Sequence, residues 1–280
     1  MRFVQFVDRG RVRPGFIRDN AVCAITCQSL QEYIALSAAE RLATHSTESF
    51  SLDGLVFAPP VVPRKNVFCV GRNYLEHAKE GARAAGRELK LPDVPTFFTK
   101  APTSIAAHEQ TLDFSGALSK EYDWEAELAV VIGSTVKDVS ESEALGAVFG
   151  YTCLNDVTAR DLQRSHVQWF KGKSLDNACP IGPWIVSADS IGDPAHLRIA
   201  LTLNGEVKQS SNTRQMIFGI PRLIAELSKG MTLQPGDVIA TGTPDGVGFA
   251  RTPAEFFKDA DTVEVQIENI GTLRNRIHLR

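Results

Sequence analysis

The sequence has few cysteines and gives them no pairing pattern. The 280-residue chain carries five, and none belongs to a Cys-x-x-Cys pair. An odd number without that spacing argues against both a disulfide-stapled fold and a zinc site. We expect reduced thiols, with Cys69 and Cys153 buried as small hydrophobic side chains inside apolar runs.

Long apolar runs and an excess of one charge are also missing. No stretch approaches the roughly 18 apolar residues of a membrane span, and the first residues, MRFVQ, lack the apolar core of a signal peptide. The formal net charge is -3 without a block of like charge, so neither nucleic acid nor a membrane is an expected partner. These absences predict a cytoplasmic protein that acts on small molecules.

Apolar patterning divides the chain into two parts. Three strand-like runs come first, at residues 2–8, 13–18 and 21–27. A helix follows them, with a Ser29–Glu32 capping box and an apolar stripe of Tyr33, Ile34, Leu36 and Leu42. The proline-rich run APPVVP at 58–63 cannot continue a helix, which places a boundary near residue 62. We predict a small α+β domain over 1–62 and a larger domain over 63–280.

The larger part reads as mostly strand. An Asn204-Gly205 turn between apolar runs predicts one hairpin, and 262–268 with 271–279 predicts a second. A short helix is expected over 221–229, with proline at its start and Gly230 after its end. The fold class predicted is therefore α+β, mostly β.

Three carboxylates form the most informative pattern. Glu125 and Glu127 lie two residues apart in a strand-like run, so they share one face, and Asp156 follows a second apolar run at a predicted strand-to-helix junction. Oxygen-only ligation suits Mg²⁺, Mn²⁺ or Ca²⁺. Taken alone, the pair could equally be a solvated strand face, and Asp156 could cap a helix.

Two further groups could take part in catalysis. His77 and Glu80 are three residues apart in a helix-prone stretch, where the carboxylate could orient a basic ring, although a surface ion pair is the commoner case. Lys173 could hold an anionic substrate, or be a solvated lysine. The glycine- and proline-bearing segment 81–95 after the helix could be a lid or an ordinary surface loop.

Taken together, these segments resemble the fumarylacetoacetate hydrolase family across residues 66–250. The matching motifs are VGRNY at 70–74, FTKAP at 98–102, DWEAEL at 123–128, LNDVTARD at 154–161, KGKS at 171–174 and TGTPDGVG at 241–248. One position departs from the larger fumarylacetoacetases, which bring a further acid to the metal where this chain has Val70. That departure argues against fumarylacetoacetate itself as the substrate.

The resemblance implies a rolled mixed β-sheet core, a homodimer and one divalent cation, Mg²⁺ or Mn²⁺, held by Glu125, Glu127 and Asp156, with Ca²⁺ possible in crystals. It implies catalytic roles for His77 and Glu80 on a lid helix and for Lys173. The implied substrate-binding residues, all within or beside these motifs, are Arg72, Tyr74, Lys100, Gln163 and Thr243.

The expected chemistry is that of a chelated 2-oxo acid whose enolate is stabilised by the cation and Lys173. His77, oriented by Glu80, would activate water to cleave a C–C bond in a 2,4-dioxo acid, giving pyruvate and a carboxylic acid. An oxaloacetate decarboxylase or a 2-hydroxymuconate-type isomerase would need the same enolate but no attacking water. The oriented base favours hydrolysis among these alternatives.

Overall fold

A computed structural model describes residues 1–84, 86 and 88–280. The strands, β1 to β19 in chain order, are Arg2–Asp8, Arg11–Arg18, Ala21–Ile25, His45–Ser51, Phe57–Ala58, Val67–Gly71, Thr96–Lys100, Ile105–Ala106, Thr111–Phe114, Tyr122–Asp123, Ala126–Ile132, Val148–Asn155, Thr158–Ala159, Cys179–Ser187, Arg198–Leu203, Glu206–Asn212, Val238–Ala240, Thr262–Ile267 and Gly271–Leu279. The helices, α1 to α8, are Leu30–Ala35, Ala38–Ala43, Leu75–Ala84, Glu141–Ala144, Arg160–Ser165, Phe170–Lys173, Ala188–Ile191 and Ile220–Ser228.

Two large mixed sheets build the fold, beside a small sheet in which β10 pairs with β13. The longer one runs β4-β3-β2-β1-β14-β12-β11-β17-β6-β7, with β5 on β1 and β8 on β14. The second runs β16-β15-β18-β19-β9. Most neighbours are antiparallel, while β17 with β6, β19 with β9 and β14 with β8 are parallel. The fold class is therefore α+β and mostly β, as predicted.

The core lies between the two sheets, where β11 and β12 of the long sheet pack against β15, β18 and β19 of the second. Every residue of β11 is buried, as its unbroken apolar run predicts for a strand covered on both faces. This central strand is therefore packed on both faces, and the residues at its end are held in place by that packing.

Local turn and cap signals predicted several elements. Asn204 and Gly205 both have positive φ and close the β15–β16 hairpin, while β18 and β19 form the second predicted hairpin. Helix α8 begins with proline in its first turn and ends before Gly230. Cys69 and Cys153 are buried in strands, also as predicted.

The helix predicted after Ser29 is wrong in its extent. The chain forms two short helices instead, α1 and α2, and Leu42 is 69% exposed rather than part of a buried stripe. Ser29 does cap α1 by accepting from the Glu32 amide, but the complete capping box belongs to Ser37 and Glu40 at the start of α2. The second cap signal divides the helix, because the N-cap residue itself is non-helical.

The N-terminal strands continue the long sheet, because β1 pairs with β14, with Phe3 opposite Ile185. The side chain of Gln5 also donates to the Pro59 carbonyl and accepts from the Leu30 amide. A domain boundary near residue 62 stays a prediction. Among the described residues, no helix has the length and apolar character to cross a bilayer.

Candidate active site

Two neighbouring strands bring the three predicted carboxylates together. Glu127 lies in β11 with Glu125 just before it, and Asp156 directly follows β12, the antiparallel partner of β11. The Asp156 amide donates to the Glu125 carbonyl at 2.9 Å, which joins the two strand ends. One carboxylate oxygen from each residue lies within 4.8 Å of the others, and all three residues are buried.

This placement decides between the alternatives that the sequence left open. The carboxylates do not line a solvated strand face, since Glu125 is 5% and Glu127 1% exposed. Asp156 is not a helix cap either, because helix α5 begins at Arg160, after the short strand β13. The predicted strand-to-helix junction is therefore wrong in detail, while the convergence of the three acids is present.

Two buried lysines hold the Asp156 carboxylate. The Lys173 ammonium donates to Asp156 Oδ2 at 2.7 Å and to Glu125 Oε2 at 2.8 Å. On the other side, the Lys100 ammonium donates to Asp156 Oδ1 at 2.6 Å and to the Val157 carbonyl at 3.0 Å. Lys100 is fully buried by these contacts. Its position therefore favours holding Asp156 over touching a substrate.

A buried Arg160–Asp123 pair supports Glu125 and was missed in the sequence. Arg160 Nε donates to Asp123 Oδ2 at 2.7 Å, and its Nη2 lies 2.7 Å from Glu125 Oε1. Asp123 also accepts from the amides of Trp124, Gly248 and Phe249. Asp123 stands two residues before Glu125, so the spacing of two that pairs the glutamates could have found it, although Asp123 lies in the separate short strand β10.

The electrostatics of this cluster fit a divalent cation. Burial alone would raise the pKa of Glu125, but the charges of Lys173 and Arg160 outweigh it and lower the pKa to about 2. For Glu127 the balance is opposite, since burial and the charges of Asp156 and Glu125 raise its pKa well above the ordinary value. A dication beside the three acids would relieve that repulsion, and their oxygen-only donor set suits Mg²⁺ or Mn²⁺.

Glu127 is also anchored by the glycine-rich turn that follows β17. The Gly242 amide donates to Glu127 Oε2 at 2.7 Å, and Gly242 has a φ of +100°. A side chain at this position would come within 2.7 Å of Asn73 Cβ. The glycine is therefore required for the amide to approach the carboxylate.

The predicted base and its partner are adjacent on helix α3. His77 Nδ1 lies 3.3 Å from Glu80 Oε2, and Glu80 also accepts from the Gly246 amide at 3.0 Å. The charge of His77 also contributes, after those of Lys173 and Arg160, to the low pKa of Glu125. Glu80 thus orients His77 and joins α3 to the glycine-rich turn. Of the possible lid segment after α3, Ala85 and Arg87 lie outside the described residues.

Four more residues were predicted to bind the substrate. Tyr74 is buried at the start of α3, whereas Arg72 is exposed and lies over the Trp169 ring at 5.8 Å. Gln163 accepts from Arg160 at 3.1 Å. The Thr243 hydroxyl accepts from Gln209 at 2.9 Å. Their roles toward a substrate stay predictions.

The sequence matches one protein family over most of its length. The profile described as "Fumarylacetoacetate (FAA) hydrolase C-terminal" covers residues 66–278. The chain belongs to this family. The three carboxylates thus stand in a family of enzymes, which agrees with the resemblance drawn from the motifs.

Named relatives come from bacteria and animals. The chain is 47% identical over 220 residues to "Oxaloacetate tautomerase YisK" of Bacillus subtilis, which covers 79% of this chain and 72% of that protein. It is 38% identical over 294 residues to "Oxaloacetate tautomerase FAHD2A, mitochondrial" of Homo sapiens, covering 99% of this chain and 91% of the other.

Solved structures agree on the fold across the whole chain. A fumarylacetoacetate hydrolase from Exiguobacterium antarcticum has a TM-score of 0.87 at 39% identity, with 100% of both chains covered. A 2-hydroxyhepta-2,4-diene-1,7-dioate isomerase from Mycobacterium marinum has a TM-score of 0.81 at 33% identity, with 100% of this chain and 99% of that one covered.

Proposed function

We propose that this protein is a divalent-metal-dependent tautomerase that interconverts the keto and enol forms of oxaloacetate. The observation that carries the proposal is the buried centre of Glu125, Glu127 and Asp156, with the Lys173 ammonium in contact with two of the three acids. Such a centre suits an enolate, and the names of two relatives supply oxaloacetate as the substrate.

The charge of the centre favours an anionic ligand. Four buried carboxylates (Asp123, Glu125, Glu127 and Asp156) face three buried cations (Lys100, Arg160 and Lys173), a net charge of one negative. A bound dication would make the net charge one positive, which an acidic substrate would offset. Glu125, Glu127 and Asp156 would hold the ion, and the ion would polarise the C2 carbonyl of a chelated 2-oxo acid.

The chain's own residues then have distinct tasks. Lys173 places a positive charge where the enolate oxygen develops. His77 takes the proton from C3 of the keto form and returns it in the reverse direction, with Glu80 accepting a hydrogen bond from Nδ1 and leaving Nε2 to exchange the proton. In the forward direction the protonated His77 gives the C3 proton to the enolate oxygen, so one proton moves from carbon to oxygen and no water is consumed.

The test follows the enol absorbance of oxaloacetate with Mg²⁺ or Mn²⁺, while pyruvate and carbon dioxide are measured in parallel. The wild-type protein should speed the conversion above the metal-only rate and release neither product. Glu127→Gln removes one metal ligand and should abolish the acceleration. A rate equal to the metal blank with wild-type protein would refute the proposal.

A second candidate is hydrolysis of a 2,4-dioxo acid, such as an acylpyruvate, to pyruvate and a carboxylic acid. The His77–Glu80 contact favours it, because an oriented base can also activate a water. Pyruvate release from acylpyruvates, without acceleration of oxaloacetate tautomerisation, would select this function. A homodimer and a cytoplasmic location stay predictions under either function.

A further inference from the structure

Strand β16 of the second sheet departs from regular alternation beside the glycine-rich turn. The pairing of β15 with β16 shifts between Leu201 and Thr202, and Lys208 is the extra residue of β16 at this bulge. Lys208 and Gln209 are both buried as a result, although neighbours in a regular strand point to opposite faces. Bulges beside active sites commonly re-aim a side chain. Gln209 is turned into the molecule here, and it is only 1% exposed.

The side-chain amide of Gln209 bridges two parts of the three-carboxylate centre. Its Oε1 accepts from the backbone amide of Ala126 at 2.9 Å, and Ala126 lies in β11 between the two glutamates of the centre. Its Nε2 donates to the Thr243 hydroxyl at 2.9 Å and to the Pro244 carbonyl at 2.8 Å. Thr243 directly follows Gly242, whose amide donates to a carboxylate of the centre at 2.7 Å. One side chain of the second sheet therefore joins β11 to the glycine-rich turn.

The partners of Gln209 determine the direction of each hydrogen bond. The Ala126 amide can only donate, so it faces the oxygen of the side chain, and the Pro244 carbonyl can only accept, so it faces the nitrogen. The Thr243 hydroxyl, which could do either, therefore accepts from Nε2. Within residues 1–84, 86 and 88–280 this is the only hydrogen bond of that hydroxyl. Its own hydrogen is consequently available to an acceptor that the protein does not supply.

We propose that Gln209 is a positioning residue for the anionic ligand of the three-carboxylate centre. It holds the Thr243 hydroxyl as a hydrogen-bond donor toward that ligand. Gln209 lies outside every motif that carries the family resemblance, and the resemblance gives the Thr243 hydroxyl no direction. The proposal rests on the proposed function for the identity of the ligand, a 2-oxo acid or its enolate. The hydrogen bond to the ligand displaces no bond within the protein, and charge on the enolate oxygen strengthens it.

The test uses Gln209→Glu, alone and together with Thr243→Val. An ionised carboxylate has no hydrogen to donate, so the Thr243 hydroxyl should turn its hydrogen to the carboxylate and lose the bond to the ligand. Gln209→Met is the second variant, since it removes the amide without adding a charge. The probe is oxalate, a stable mimic of the enolate of pyruvate, titrated calorimetrically in the presence of Mn²⁺.

Gln209→Glu should weaken oxalate binding about 10-fold, as loss of one hydrogen bond to a charged group predicts, and Gln209→Met should weaken it several-fold. Thr243→Val should weaken it about 10-fold by itself. In the Thr243→Val background, neither change at Gln209 should weaken it further, because both act through the missing hydroxyl.

Gln5→Glu is the matched control for the structural effect of the same change. Gln5 is also buried, and its amide likewise accepts from a backbone amide and donates to a carbonyl, those of Leu30 and Pro59. Gln5→Glu and Gln209→Glu should both lower the melting temperature measured without ligand or metal. Only Gln209→Glu should weaken oxalate binding.

Wild-type oxalate affinity in both Gln209 variants would overturn the proposal. An equal loss of affinity with and without the Thr243 hydroxyl would overturn it too, because added charge or a general loosening of the fold does not act through that hydroxyl. A loss that requires the Thr243 hydroxyl, in a protein whose wild type has no tautomerase activity, would support the role of Gln209 and refute only the proposed function.

Discussion

Glu125 and Glu127 lie two residues apart in the sequence, yet their pKa values move in opposite directions. Lys173 and Arg160 both contact Glu125, so its carboxylate is paired even without metal. Glu127, by contrast, accepts a hydrogen bond from the Gly242 amide, while the like charges of Asp156 and Glu125 disfavour its ionised form. Without a cation, Glu127 is thus the acid of the cluster whose pKa is raised.

This difference predicts how the metal-free protein depends on pH. A raised folded-state pKa means that Glu127 stabilises the fold when protonated, so stability should rise as pH falls through its folded pKa toward the ordinary value of 4.5. The slope is limited to about 1.4 kcal/mol per pH unit for one proton. Below 4.5 the trend should reverse, because the contribution of Glu125 is lost as pH falls toward its folded pKa of about 2.

Urea unfolding in chelator from pH 8 to pH 3 measures this dependence. Glu127→Gln is the control, and it should flatten the slope above pH 4.5 while leaving the fall below it. An unchanged slope in that variant would assign the proton to another group.

At the scale of elements, the Glu80 side chain joins helix α3 to the glycine-rich turn beside the carboxylate centre. Glu80 accepts the Gly246 amide with both of its oxygens, at 3.0 and 3.2 Å, and also contacts His77. Gly246 has a φ of +98°, and a Cβ there would come 2.1 Å from the Lys208 carbonyl oxygen, so its backbone is fixed. Glu80 therefore holds helix α3 against this turn.

Weakening this contact should release α3. Glu80→Gln leaves a neutral amide in place of the carboxylate, and we expect tryptic cleavage at Lys79 and Arg83 to become several-fold faster, because local opening governs proteolysis. Glu76→Gln is the matched control on the same helix, since Glu76 is exposed and pairs only with Lys79 among the described residues. Oxalate with Mn²⁺ should slow cleavage in the wild type. Equal cleavage rates in the two variants would argue that the contact of Glu80 with the Gly246 amide does not hold α3 in place.

The sequence predicted the elements whose signals are local. The Asn204-Gly205 turn and the alternation through Glu125 and Glu127 depend on neighbours a few residues away, and both elements are present. Arg160 was missed because its partner Asp123 is 37 residues distant, and no local pattern joins them. The division between α1 and α2 was missed because the second capping box, at Ser37, was overlooked.

At the scale of the whole molecule, the N-terminal strands share a core with the catalytic sheet. One hydrophobic cluster contains Phe3, Phe16, Leu30 and Ile34 from the first part together with Val131, Phe149, Ile185 and Val238 from the second. The sheet is continuous through the β1–β14 pairing. The proline-rich run predicted a boundary between these parts. The pairing of β1 with β14 could not be predicted, because pairing between strands that are distant in the sequence leaves no local signal.

Residues 63–280 should therefore not fold stably alone. Removal of 1–62 exposes the second half of the shared cluster and leaves one edge of β14 unpaired, and an exposed apolar edge strand favours aggregation. Co-expression of 1–62 as a separate chain should restore the soluble protein, because the β1–β14 pairing and the Phe3 contacts do not need the peptide bond at residue 62. Thermal unfolding of 63–280, of the two chains together and of the intact protein is the measurement. Cooperative unfolding of 63–280 alone at the intact protein's melting temperature would contradict this expectation and would make residues 63–280 an independent domain.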